Sequence, residues 1–435
     1  MCRERRDWKS LPHRMTLGMR RQTTESGAIT SESIICNAYY FPGETADPER
    51  IESALRRAVR AHPALHSTYR TAGEHGAQYA ELPLPPALLE REDLGASSWD
   101  RLRARAREVA SRESGRVLDL RSDPPLRAVL LHGAAGFALV IRIDHSVCDG
   151  ISYARFLRDV GEAYGAADEE PTVAGRPTLA EVAAAERPVL EGESGKRLRA
   201  AWRERLPSGV PEVMLGDTTS WREGTAEGAY RVCHIDGERY HEHVAEAKRL
   251  RVTSFVLATA KILHALRPSV VNDELAFFCP FPGRFVPEAG TVMGNFVNLL
   301  PVVVDAGRDA DLATTVRAVR DGVVWTMQHQ GLPFDAVLEQ VRDVDPTGET
   351  MPKNRRAIFI AGYPEDELDL GGARAQAELP VMTTALFDLS VWISDTRDAV
   401  RCMAVYRPRY VSPEQVDAWF AAVGEPLEAA ALPAR

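Results

Sequence analysis

The chain has 435 residues, of which 45% are hydrophobic and 26% charged, with a formal net charge of −9 at pH 7. At roughly 100–200 residues per domain this length predicts two or three compact units, and the ordinary apolar and charged fractions exclude a disordered or collagen-like chain. The acidic balance argues against a nucleic-acid partner, because phosphate tracking needs an excess of Lys and Arg.

No run approaches the ~20 apolar residues that cross a bilayer, and no positive-then-apolar leader opens the chain. The expectation is a cytoplasmic monomer without a membrane partner. The six cysteines, Cys2, Cys36, Cys148, Cys233, Cys279 and Cys402, form no C-x-x-C. A chain this long does not depend on disulfide staples, so reduced thiols are expected. Cys233-His234 and His241/His243 lack the four-ligand spacing of a zinc site, so no metal is expected.

Residues 1–28 are Arg-rich without sustained periodicity and read as an irregular arm. Asp47-Pro48 opens a helix with Ile51, Leu55, Ala58 and Val59 at helical spacing. The apolar runs 128–131 and 137–141, split by His132-Gly133-Ala134-Ala135, predict a hairpin of buried strands. The second strand leads into Ile143, Asp144 and His145. A helix follows the Asp149-Gly150 turn, with Phe156, Leu157, Val160 and Tyr164 on one face. Residues 206–228, rich in Pro, Gly, Ser and Thr, read as a linker. Beyond it, Thr253 or Ser254 caps a helix bearing Val256, Leu257, Ala260 and Leu263. Strands are expected at 275–278 and 299–304, and a helix carries Leu312, Val316, Val319 and Val323. Ser412-Pro413-Glu414-Gln415 is a capping box opening a last helix. The fold class is therefore mixed α/β in two halves of comparable size, 29–205 and 229–435.

The phosphate-loop, dinucleotide, nucleophile-elbow and zinc-peptidase motifs are all absent. What remains is Asp144-His145-Ser146-Val147-Cys148-Asp149-Gly150. A strand end holds a side chain rigidly at a sheet edge, and an imidazole with an ordinary pKa near ~6.5 accepts a proton from an amine or alcohol at neutral pH. Asp149, four residues on, is better placed to take a charge partner that pins the turn. Gly150 permits backbone conformations closed to other residues. By itself H-x-x-x-D-G is a weak motif, and a core histidine beside an Asp-Gly turn reads it more readily.

The rest of the chain changes that reading. Leu55–Leu65 resembles an early helix ending in an "RHEALR"-type turn. Asp119-Leu120 with Pro124-Pro125-Leu126-Arg127 resembles "FDL…GPLLR", and Pro280-Phe281-Pro282-Gly283-Arg284 resembles "PVAGR". Met293–Pro301 is similar to "GFFVNTLPLR", Leu332-Pro333-Phe334-Asp335 to "PFE", and Phe387-Asp388-Leu389 to "FDLS". These fragments, in order over residues 50–430, resemble the acyltransferase superfamily of chloramphenicol acetyltransferase and nonribosomal-peptide condensation domains, whose motif is HHxxxDG.

The resemblance implies two chloramphenicol-acetyltransferase-like subdomains meeting in a V, a pseudo-dimer with a central channel. It implies a free-standing enzyme of secondary metabolism that transfers an acyl group from a carrier-protein phosphopantetheine or CoA thioester to an amine or alcohol acceptor, with no bound cofactor. His145 falls at the motif's catalytic histidine. Asp149 falls at its aspartate and Arg284 at the arginine that pairs with it, both structural in the family. Asn298 and Trp392 lie in family-like segments, as candidate channel-lining residues whose simpler reading is structural. The motif's first histidine is Asp144 here; since neighbouring side chains on a strand face opposite ways, Asp144 is expected to support the loop rather than share the channel. That departure keeps a second reading open: a module that binds carrier or partner proteins without catalysis.

A thioester is already activated, so the expected mechanism is direct attack with His145 as base and the backbone N–H of Gly150 as a candidate oxyanion donor. Cys148 as a thiol nucleophile is the rival, a small packing residue its simpler reading. Arginines 101, 103, 105 and 107 offer a basic face for an acidic carrier, or a solvated helix surface.

Overall fold

A computed structural model describes residues 6–21, 23–24, 29, 34–72, 76–166, 176–215, 228–271, 273–344, 356–362, 367–378, 385, 387–396 and 398–426. The chain divides into two compact units that are not contiguous in sequence. Unit 1 takes Met1–Val189, Arg284–Val297 and Asp366–Pro380; unit 2 takes Leu190–Gly283, Asn298–Glu365 and Val381–Arg435.

The centre of unit 1 is a five-stranded sheet in the order Gln376–Glu378, Ile34–Pro42, Gly136–Asp144, Leu126–Gly133, Leu89–Asp93. Its pairings are antiparallel except for Leu89–Asp93, which runs parallel to Leu126–Gly133. The strand Gly136–Asp144 is buried along its whole length. Its alternating side chains explain this. Phe137, Leu139, Ile141 and Ile143 enter one apolar cluster with Phe156, Leu157 and Val160, while Ala138 and Val140 enter another with Leu102, Ala106 and Val109 of helix Trp99–Ser114. A strand covered on both faces carries no polar alternation, which is why its sequence reads as a continuous apolar run. The tight turn at its start needs Gly136, whose φ is +134° and whose added Cβ would strike the Phe41 carbonyl oxygen.

The arm expected to be irregular is partly ordered. Lys9–Ser10 pairs antiparallel with Gly76–Glu81, and His13–Arg21 is a helix whose Met15 and Met19 are buried. Leu11, Met15 and Met19 recur every four residues on one side. The intervening arginines dilute that stripe below what the sequence alone makes legible.

Unit 2 is built on a seven-stranded mixed sheet in the order Asn298–Val303, Ala276–Phe281, Ile358–Gly362, Leu389–Asp395, Ala399–Tyr406, Ala229–Asp236, Glu425–Pro426. Thr253 caps helix Ser254–Leu266 by accepting from the Val256 N–H, and the Ser412/Gln415 capping box opens helix Pro413–Ala421. Of the expected linker, residues 216–227 lie outside the described residues. Its described beginning is core instead: Leu206, Val210, Val213 and Leu215 are all buried in unit 2. Apolar residues spaced among Pro and Gly pack an irregular segment as firmly as a periodic one.

Candidate active site

The strand Gly136–Asp144 ends on Asp144, which is fully buried. Its Oδ1 accepts from the backbone N–H of Ser146 at 3.0 Å and from the Ser146 hydroxyl at 2.6 Å, turning the chain sharply after the strand. Burial pushes the Asp144 carboxyl above its ordinary pKa, and Oδ2 has no hydrogen-bond partner among the described residues. His145 therefore leaves the sheet on a turn fixed by its neighbour, and its ring is half-buried.

Asp149 closes the turn. It is the N-cap of helix Gly150–Gly165, accepting from the Ser152 N–H at 2.8 Å, so the helix starts at once. Gly150 is consequently an ordinary first helical residue. The special backbone conformation expected for it is not adopted, and an added Cβ would meet open space.

Arg284 reaches the same carboxylate. Its Nη2 donates to both oxygens of Asp149, at 2.9 and 3.0 Å, and to the Ser152 hydroxyl at 2.8 Å, while Nη1 donates to the carbonyls of Ala289 and Val292. The guanidinium carbon lies 4.4 Å from the centre of the Phe296 ring. Asp149 is 0% exposed and Arg284 8%, so this is a buried pair whose separation would strand a charge.

The segment Gly294–Phe296 completes the cluster. The Phe296 N–H donates to Asp149 Oδ2 at 3.0 Å, the Gly294 N–H donates to the Ser152 hydroxyl at 3.1 Å, and the Gly294 carbonyl accepts from the Asp149 N–H and the Ser152 hydroxyl. Gly294 has to lack a side chain, since a Cβ there would sit 2.7 Å from the Phe296 ring and 2.8 Å from the Met15 sulfur. Asn295, held between these two anchored residues, brings its carboxamide nitrogen Nδ2 to 3.4 Å from His145 Nδ1. The other ring nitrogen, Nε2, has no hydrogen-bond partner among the described residues, and the residue is half-buried.

Unit 1 thus brings together His145, Asp144, Asp149, Gly150 and Arg284. It adds Ser152, Gly294, Asn295 and Phe296, which sequence reasoning missed. Ser152 and Asn295 were visible only as polar residues inside otherwise apolar or motif-like stretches. Cys148 is 0% exposed in the unit 1 core, where it packs rather than facing solvent as a nucleophile.

Asn298 and Trp392 belong to unit 2. Asn298 is buried and hydrogen-bonded within unit 2. Its Nδ2 donates to the carbonyls of Gln330 and Leu332 and its Oδ1 accepts from the Phe334 N–H, as a buried carboxamide requires. Trp392 is half-buried with its ring tilted against Phe359 at 5.4 Å. The arginine run on helix Trp99–Ser114 is partly neutralised, Arg105 pairing with Glu92 at 2.8 Å and Glu108 at 2.7 Å. Among the described residues no cluster of His, Cys, Asp and Glu could hold a metal ion, and no helix is long and apolar enough to cross a membrane.

The Condensation domain family model matches residues 30–433, so the chain belongs to the condensation-domain family, whose members are acyl and peptidyl transferases acting on carrier-bound thioesters. It is 26% identical over 385 residues, 86% of its length, to the phosphinothricin tripeptide synthetase PhsC of Streptomyces viridochromogenes. The chain spans 4% to 35% of the length of the first curated relatives it matches. Among solved structures, the first condensation domain of the CDA synthetase superposes with a TM-score of 0.77 at 18% identity, covering 96% of both chains. The X-domain from teicoplanin biosynthesis gives 0.76 at 19% identity, covering 97% of this chain and 94% of its own. The mixed α/β fold is that of condensation domains.

Proposed function

We propose that this protein transfers an acyl group from a thioester, carried on a carrier protein's phosphopantetheine or on CoA, to an amine or alcohol acceptor, with His145 as the general base. The observation that carries the reading is the state of the imidazole: one ring nitrogen beside the Asn295 carboxamide, the other without a hydrogen-bond partner among the described residues, on a turn clamped through Asp149 and Arg284. Nε2 accepts the proton of the acceptor N–H or O–H as that nitrogen or oxygen bonds to the thioester carbonyl carbon. The tetrahedral oxyanion then collapses, the C–S bond breaks, and the leaving thiolate takes the proton back from the imidazolium. No covalent enzyme intermediate is needed, which agrees with the burial of Cys148.

Helix Gly150–Gly165 supplies the electrostatics. The N–H groups of Gly150 and Ile151 have no acceptor among the described residues, and they lie at the positive end of a 16-residue helix. Either is a fitting donor to the developing oxyanion, and the open space before Gly150 favours close approach of substrate.

Asp144 sustains a second reading, a non-catalytic module that binds carriers or partner proteins. Against it, Asp144 bonds Ser146 through Oδ1 and makes no hydrogen bond to the imidazole among the described residues. The deciding experiment incubates the protein with a panel of acyl-CoA and carrier-loaded acyl thioesters plus amine and alcohol acceptors and looks for product by mass spectrometry. A positioned base contributes ~10²–10⁴-fold, so His145→Ala should lower turnover by that factor with the fold intact. Full turnover in that variant refutes the base; carrier binding with no product from any pair supports the second reading.

A further inference from the structure

Resting on the acyl-transfer reading, we propose that Asn295 is a positioning residue. Its carboxamide oxygen accepts the Nδ1–H of His145 and so fixes the tautomer whose Nε2 lone pair is free for the acceptor's proton.

Among the described residues the ring has one hydrogen-bond partner. The Asn295 carboxamide is placed with its Nδ2 3.4 Å from Nδ1, and no other hydrogen bond among the described residues holds either end of that carboxamide. A half-turn about its last dihedral exchanges oxygen for nitrogen without displacing any other bond. The choice has chemical consequences. A neutral imidazole protonated on Nε2 can only donate there, whereas protonation on Nδ1 leaves Nε2 as a base. A carboxamide offering oxygen to Nδ1–H selects the second state and keeps the ring from turning.

The placement of Asn295 is itself built in. Asp149 binds the residues on either side of it, accepting from the Phe296 N–H and donating its own N–H to the Gly294 carbonyl. The carboxylate that ends the His145 turn therefore also aligns the segment carrying Asn295. This gives the Asp149–Arg284 pair a task beyond holding its own loop: it registers two separate stretches of chain so that the carboxamide meets the imidazole. The charged groups nearby are Asp144, which acts on the imidazole through its charge, and Asp149. Asp144 is bonded to Ser146, and Asp149 to Arg284, Ser152 and Phe296. Substitutions at residue 295 change the ring's partner and leave these contacts in place.

The test combines a spectroscopic and a kinetic readout. Nitrogen-15 NMR of the imidazoles in the substrate-free protein, with the His145 signals assigned by their loss in His145→Ala, should show Nδ1 protonated at high pH. Asn295→Ala should shift that ring toward the Nε2–H form and lower kcat by about 10-fold with KM unchanged. Asn295→Asp should recover most of the rate and move the acidic limb of the kcat/KM profile to higher pH by about one unit or more, because a carboxylate favours the imidazolium. A ring protonated on Nε2 in the wild-type protein, or an Asn295→Ala variant with unaltered tautomer and kcat, overturns the assignment. Full turnover by His145→Ala would instead overturn His145 as the base, and the absence of product from every donor and acceptor pair would overturn the acyl-transfer reading, while the spectra would still report whether Asn295 sets the tautomer.

Discussion

Among the described residues each unit buries an Arg–Asp pair, and the two pairs are built alike. In unit 1, Arg284 bonds Asp149, donates to two backbone carbonyls and lies over the Phe296 ring. In unit 2, Arg356 bonds Asp388, donates to the Leu215 carbonyl and lies 4.6 Å from the centre of the Tyr410 ring. The surroundings differ. Asp149 caps a helix four residues after a half-buried histidine, whereas Asp388 precedes a strand, has Arg407 4.0 Å away as a second cation, and has its carboxyl pushed upward by burial. The same ion-pair architecture serves packing in one unit and packing plus an addressable imidazole in the other. A buried salt bridge is thus no sign of a functional site; what it holds in register is.

The comparison breaks most sharply on removing each arginine. Arg284→Ala and Arg356→Ala each strand a buried carboxylate and should each cost about 3–5 kcal/mol of stability. Turnover per folded molecule should collapse only in Arg284→Ala. Urea titrations of both variants, paired with rates normalised to folded protein, check this, and a comparable rate loss in Arg356→Ala would show the two pairs to be functionally equivalent. A smaller effect is expected from Ser152→Ala, which removes a hydroxyl bonded to Arg284 and to both backbone groups of Gly294. Leaving those groups short of a partner costs ~1–3 kcal/mol, and the urea midpoint should fall accordingly.

The smallest effect sharpens the role of Asp144. Its carboxyl holds its proton more tightly folded than unfolded, so ionisation costs stability at pH values above the folded pKa, and that cost fades as pH falls toward the ordinary value of 3.8. Asp144→Asn keeps an oxygen for Ser146 and carries no charge. It should be at least as stable as the wild type at pH 7, with its advantage shrinking as the pH approaches ~4. A variant less stable at pH 7 by an amount independent of pH would mean that Asp144 acts through its shape alone.

Much of this scaffold was legible in the sequence. The hairpin of Leu126–Gly133 and Gly136–Asp144 was announced by two apolar runs, because both faces of its second strand are covered. The helix starts at Asp47, Thr253 and Ser412 followed from side chains that cap backbone N–H groups locally. The helix His13–Arg21 was hidden because its apolar stripe is narrow and flanked by arginines. Gly150 misled because an Asp-Gly pair suggests a turn, whereas Asp149 spends its carboxylate on starting a helix. Ser152 and Asn295 escaped notice for a different reason. Their roles arise from contacts across more than 130 positions of chain, and no local pattern encodes a distance of that kind.

The missing side chain at Gly294 has a wider consequence. The space it vacates is shared by the Phe296 ring and the sulfur of Met15, so the first helix of the chain props the very segment that presents Asn295. Shortening the protein to its first long strand would spare the main sheet and knock out that prop. Trimming the leading residues is therefore an intervention at the proposed reactive centre, not a cosmetic change at a loose end.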